Sequence, residues 1–121
     1  MTNLVGHRGT VTSAKFLSKN YLISGSTDSL VGVWDITNPH RHMQMLSGHI
    51  SDVACIDVSK RDSNIFLTGS SDLTAKIWDI RLKNSEVFSF IAGKSSITAV
   101  HFLPGTLETL ATSSDDSCIR Y

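Results

Sequence analysis

The chain has 121 residues, enough for one ordinary domain, and its 40% hydrophobic against 18% charged content describes a chain that buries apolar surface. Eleven Lys and Arg balance eleven Asp and Glu, which removes the positive excess that draws proteins to nucleic acid or anionic lipid. The opening "MTNLVGHRGT" lacks the pattern of a signal peptide, and no apolar run approaches the roughly 18 residues of a membrane helix. An intracellular, soluble protein is expected.

In chain order, "TNLV" at 2–5 is expected to be the remnant of an outer strand belonging to a preceding unit. After Gly6-His7 come three short runs with strand character, "VTSAKFL" (11–17), "YLISG" (21–25) and "LVGVWDI" (30–36), and then "HMQMLS" (42–47) as a fourth. Gly48-His49 opens the same series again: "VACIDV" (53–58), "IFLTG" (65–69), "TAKIWDI" (74–80) and "EVFSFIA" (86–92). A third opens at Gly93-Lys94 with "ITAVHFL" (97–103), "TLATS" (109–113) and "CIRY" (118–121). In the third run of each series Val31 and Val33 align with Ala75 and Ile77 and with Ile119 and Tyr121. One parity is always apolar, the period of a strand and not of a helix.

Asp28, Asp72 and Asp116 stand 44 residues apart, and Trp34 and Trp78 each follow their Asp by six. The chain therefore reads as all-β, in three repeats of about 6–47, 48–92 and 93–121, the last truncated. Each complete repeat is expected to be a four-stranded antiparallel sheet. Such a sheet cannot bury both faces alone and stacks on its neighbours like a propeller blade, but fewer than three full repeats fall short of the about 4–8 of a closed ring. An open partial propeller follows, with sheet edges available to another chain.

His7, Ser24 and Asp28 invite comparison with a catalytic triad, and His49, Thr68 and Asp72 repeat the set. Repetition argues against catalysis, which needs one exposed nucleophile with an oxyanion hole and a cleft. No enzyme activity is expected. A metal pair at His40 and His42 lacks a third ligand at suitable spacing, and no Gly-rich phosphate loop occurs. No cofactor or metal is expected. Lys60-Arg61 reads as a solvated loop, Asp35 and Asp79 as turn or edge residues, and Cys55 and Cys118 as buried thiols.

Gly-His and Trp-Asp bounding units of this length resemble the WD40 repeat family. The resemblance implies a hydrogen-bonded network inside each blade, formed here by His7, Ser24, Asp28 and Trp34, by His49, Thr68, Asp72 and Trp78, and by Thr112 and Asp116. Lys94 replaces the third His and cannot accept a hydrogen bond while charged, so the third network should be the weakest. "SGHISDVACIDV" with "AKIWDIR", and "SSITAVHFLPG" with "ATSSDDSCIRY", resemble central blades of heterotrimeric G protein beta subunits.

That resemblance implies a transducer working through protein contacts, cytoplasmic and brought to the inner face of the plasma membrane by its partners. A G protein alpha subunit would be met by Asp52, which matches the family's acidic residue, and by Thr10, Ala54 and Ser96, which stand where the family has Tyr, Met and Asp. The family's N-terminal coiled-coil helix has no counterpart, so gamma-subunit binding is not expected of this chain. The alternative is a WD40 scaffold for another multiprotein assembly.

Overall fold

The computed structural model describes residues 3–38, 43–82, 85–105 and 109–121. Eleven strands are present among them: β1 Val11–Phe16, β2 Tyr21–Ser26, β3 Val31–Asp35, β4 Met43–Leu46, β5 Val53–Val58, β6 Ile65–Ser70, β7 Thr74–Asp79, β8 Glu86–Ile91, β9 Ile97–Phe102, β10 Leu110–Ser114 and β11 Ile119–Arg120. They form three antiparallel sheets in chain order, β1-β2-β3-β4, β5-β6-β7-β8 and β9-β10-β11. The sheets stack without closing, β5 lying on β1 and β2, and β9 lying on β5 and β6. No helix among the described residues is long and apolar enough to cross a membrane.

Alternation along each strand decides what the stack buries. Ile23, Val31 and Val33 of the first sheet meet Val53, Ile56, Phe66 and Trp78 of the second in one cluster. Leu67 and Ala75 of the second sheet meet Ile97, Val100 and Phe102 of the third in another. The two interfaces use equivalent positions: Ile23 corresponds to Leu67, Val31 to Ala75, Val53 to Ile97 and Ile56 to Val100. Full burial of each Val, Leu or Ile among them contributes about 1.5–3 kcal/mol, so these contacts hold the sheets against one another. The sheets approach closely at glycines, where a Cβ on Gly25 would lie 2.6 Å from Val53 Cγ1 and one on Gly69 2.7 Å from Ile97 Cγ2.

Every first strand carries a one-residue bulge. Register shifts between Val11 and Ser13, between Val53 and Cys55, and across β9 opposite Ser113 and Ser114 leave Thr12, Ala54 and Thr98 as the extra residues. A bulge bends its strand and re-aims its side chain. Thr12 thereby reaches across the interface, its hydroxyl donating to the Val53 carbonyl.

The turns between second and third strands also repeat. Asp28, Asp72 and Asp116 each accept the backbone N–H two residues ahead, from Leu30, Thr74 and Cys118 at 2.9, 2.9 and 3.0 Å. The residues between are left-handed: Ser29 (φ 67°), Leu73 (φ 74°) and Ser117 (φ 66°). A leucine is strained there because its Cβ crowds the carbonyl oxygen, whereas Asn adopts this conformation readily. Leu73→Asn is expected to raise stability by about 0.5–1 kcal/mol in urea denaturation, and Leu73→Val to lower it. An Asn variant no more stable than the parent would show that the turn carries no strain.

Two expectations require correction. Residues 3–5 form no strand; Leu4 and Val5 instead line a hollow on the first sheet with Ala14, Leu22 and Trp34. Cys118 is exposed, because it lies in the turn just before β11, while Cys55 is partly buried. Burial pushes the Cys55 thiol up to about 11, which leaves it unreactive. The third sheet consists of β9, β10 and β11 among the described residues.

Candidate functional site

In the first sheet His7 follows its glycine at the mouth of the β2–β3 turn. Its Nδ1 stands 2.9 Å from Asp28 Oδ2 and its Nε2 2.7 Å from Ser24 Oγ, while the Trp34 indole donates to the same hydroxyl at 2.7 Å. The second sheet repeats this, with His49 Nδ1 2.9 Å from Asp72, Nε2 2.6 Å from Thr68 Oγ1, and the Trp78 indole donating to Thr68 at 2.8 Å. One assignment of protons satisfies every group: the indole donates to the hydroxyl, the hydroxyl to Nε2, and Nδ1–H to the carboxylate. The histidines are then neutral, with the proton on Nδ1.

Asp28 and Asp72 each complete the tie by accepting the amide of the residue after the histidine, Arg8 at 2.9 Å and Ile50 at 3.1 Å. The order Asp, His, hydroxyl matches that of a catalytic triad. Ser24 is 3% and Thr68 0% exposed, and each hydroxyl already receives an indole proton. Such an arrangement ties the segment entering a sheet to its second and third strands. Among the described residues, no buried side-chain nitrogen or oxygen lacks a hydrogen-bond partner.

The third sheet is built differently. Asp116 accepts the Lys94 amide at 2.9 Å, but Lys94 has no ring to bridge inward, and the Thr112 hydroxyl donates to the Ala92 carbonyl at 3.2 Å. Thr112 and Asp116 are thus not joined among the described residues. Arg120 takes up the Asp116 charge instead, with Nη1 and Nη2 at 3.2 and 2.9 Å from its two oxygens. Sequence reasoning missed Arg120. The available signal was register, for Arg120 occupies the position held by Gly32 in β3 and by Lys76 in β7.

Lys76 is also a residue the sequence did not single out. Its buried ammonium donates to the Glu86 carboxylate and, at 3.0 Å, to Ser89. Asp79 is buried and holds the Arg81 guanidinium, which reaches on to Asp62 at 3.0 Å. Asp35 accepts the Thr37 amide and hydroxyl. No group of three or more metal-ligating side chains occurs among the described residues; His40 and His42 lie outside them.

Burial pushes the His49 imidazole below its ordinary 6.5, the Asp72 carboxylate pulling the other way. Burial would raise Asp72, but hydrogen bonds from the Thr74 hydroxyl, the His49 ring and two backbone amides outweigh it and bring the carboxyl down from 3.8 to about 2. Asp116 is held below the usual range mainly by Arg120. As pH falls below 6.5 the unfolded chain gains a proton at His49 that the folded chain refuses, and below 3.8 the same holds at Asp72 until about pH 2. Stability should therefore fall in two steps on acidification, the Asp72 step on the order of 1–2 kcal/mol. Urea midpoints at about pH 8, 5.5 and 3 measure both steps, and His49→Gln should abolish the first. A midpoint constant to about pH 5 would contradict a buried neutral His49.

The residues expected to meet a partner lie on the rim bearing these networks. Thr10, Asp52 and Ser96 occupy one position in the three repeats, each carbonyl accepting an amide from the β2–β3, β6–β7 or β10–β11 turn, from Thr27, Ser71 and Asp115 at 2.9, 2.9 and 3.0 Å. Thr10 and Asp52 are exposed and Ser96 is half-buried. Ala54 sits on the β5 bulge, also half-buried.

A family model described as "WD domain, G-beta repeat" matches residues 1–35 and 40–79. The chain is 32% identical over 123 residues to the guanine nucleotide-binding protein subunit beta of Oryza sativa subsp. japonica, covering 97% of this chain and 32% of that protein. Against the Solanum tuberosum subunit beta the figures are 32% over 123 residues, 97% and 32%, and against that of Arabidopsis thaliana 31% over 124 residues, 98% and 33%. The chain thus spans about a third of the length of these relatives. With its repeated strands, Gly-His and Trp-Asp pairs and matching family model, the chain belongs to the WD40 repeat family.

Proposed function

We propose that the chain acts by protein contact and not by catalysis, as part of a signalling WD-repeat protein of the G protein beta type. Its units run about 6–47, 48–92 and 93–121, and its partner surface is the rim carrying Thr10, Asp52, Ala54 and Ser96. One observation carries this reading: the main chain at Thr10, Asp52 and Ser96 is pinned identically by the facing turn, so three side chains are presented at fixed spacing on rigid supports. Preorganised presentation lowers the ordering cost of binding. Similarity to beta subunits over nearly the whole chain supports a G protein alpha subunit as the partner, which would bring the protein from the cytoplasm to the inner face of the plasma membrane.

Binding of a GDP-loaded alpha subunit to the immobilised chain tests this. Asp52→Lys is expected to weaken binding by about tenfold or more, since reversing a charge at an interface costs over about 1.4 kcal/mol, with the melting temperature unchanged. A chain that binds no alpha subunit, or an Asp52→Lys variant that binds equally well, would contradict the assignment. A second reading, a WD40 scaffold for another assembly, is favoured by Thr10, Ala54 and Ser96, which lack the aromatic and long side chains that commonly anchor interfaces.

A further inference from the structure

At the rim opposite the Gly-His turns, where β1, β5 and β9 end, all three repeats enclose a cavity of about 280 Å³. Lys15, Asp57 and His101 line it from one equivalent position, paired across their sheets with Ile23, Leu67 and Ala111. Asp57 is already engaged. Its Oδ2 accepts the Phe102 amide at 2.7 Å, and its Oδ1 lies 3.9 Å from Lys15 Nζ.

Among the described lining residues the other formally charged side chains are basic. Lys60 is exposed, the Lys15 side chain retains 45% of its accessible surface, and Arg61, outside the lining, donates from its guanidinium to the Gly105 carbonyl at 3.3 Å. Among the described residues that line the opening, Lys15 and Lys60 thus face the single carboxylate of Asp57. Val58, Phe102 and Pro104 add apolar surface to a lining that is in part polar.

We propose that this cavity docks an acidic segment of a protein partner, an aliphatic side chain entering the cavity while flanking carboxylates meet Lys15 and Lys60. The apolar part of the lining, Val58, Phe102 and Pro104, and the nearby Asp57 favour this ligand over phosphate, which offers nothing to those side chains and brings a higher charge against the carboxylate. The site is independent of the alpha-subunit rim, being built from the opposite ends of the strands.

The test uses the whole 121-residue chain and fluorescein-labelled peptides of alternating Asp and Leu, with Asn-Leu and Lys-Leu counterparts, followed by anisotropy. Saturable binding of the Asp-Leu peptide is expected, about tenfold tighter than that of the Asn-Leu peptide and weakened by salt. Lys60→Glu, in an exposed loop, should reduce it about tenfold, Lys15→Gln should reduce it less, and Asp52→Lys on the far rim should leave it unchanged. Equal binding of the Asp-Leu and Asn-Leu peptides, or no effect of Lys60→Glu and Lys15→Gln at an unchanged melting temperature, would overturn the proposal. So would displacement by inorganic phosphate at concentrations near those of the peptide, which would reveal a simple anion site.

Discussion

Thr68→Val is expected to lower the unfolding free energy by about 3 kcal/mol, although it changes almost nothing of the side chain's shape. The hydroxyl is the centre of the second network, 2.6 Å from His49 Nε2 and 2.8 Å from the Trp78 indole, at a site with no exposure. Its loss leaves an indole N–H and an imidazole nitrogen buried without partners, each costing about 1–3 kcal/mol. Ser24→Ala in the first network should cost only about 1 kcal/mol, because Ser24 and Trp34 border a hollow that water can enter. Urea denaturation of the two variants gives the comparison. A Thr68→Val cost below about 1 kcal/mol would mean that the network is not an important tie.

Gly69→Ala is the second large effect, a loss of about 2–3 kcal/mol. The added Cβ would stand 2.7 Å from both Cys55 Sγ and Ile97 Cγ2 and 2.9 Å from Val100 Cγ1, none of which can withdraw without opening the interface. Overpacking of this kind is relieved by moving backbone or forcing rotamers. The consequence should be shared, with amide hydrogen exchange quickening in both β6 and β9. Faster exchange in β6 alone would show that the sheets are not coupled through this contact.

Much of this organisation is legible in the sequence because it is written in two periods. Alternation every second residue marks Val31 and Val33 as one buried face and Ala75 with the half-buried Ile77 as another, and the spacing of Asp28, Asp72 and Asp116 marks the turns. A bulge escapes such reading, since one extra residue shifts the alternation without any special composition. Thr12, Ala54 and Thr98 look like ordinary strand residues until the register is known. Partners distant in sequence are equally hidden, and Lys76 is buried only because Glu86 and Ser89 on the adjacent strand β8 receive its ammonium.

The third repeat shows what a substitution conceals. Lys94 in the histidine position signals a missing bridge, but the sequence does not reveal that Arg120 will neutralise Asp116 from the third strand. Cys118 misled for a related reason. It resembles a strand residue in an apolar run, yet its amide closes the turn onto Asp116 and its side chain stays exposed.

The ring-nitrogen ¹⁵N chemical shifts of His7 and His49 at neutral pH examine the structural networks without perturbing them. Both rings should be neutral with the proton on Nδ1, Nε2 accepting from Ser24 and Thr68, and the Trp34 and Trp78 indole protons should exchange slowly. Rings that are charged, that carry the proton on Nε2, or that exchange tautomers freely would contradict networks held in one arrangement as structural ties, and would reopen a chemical role for the histidines.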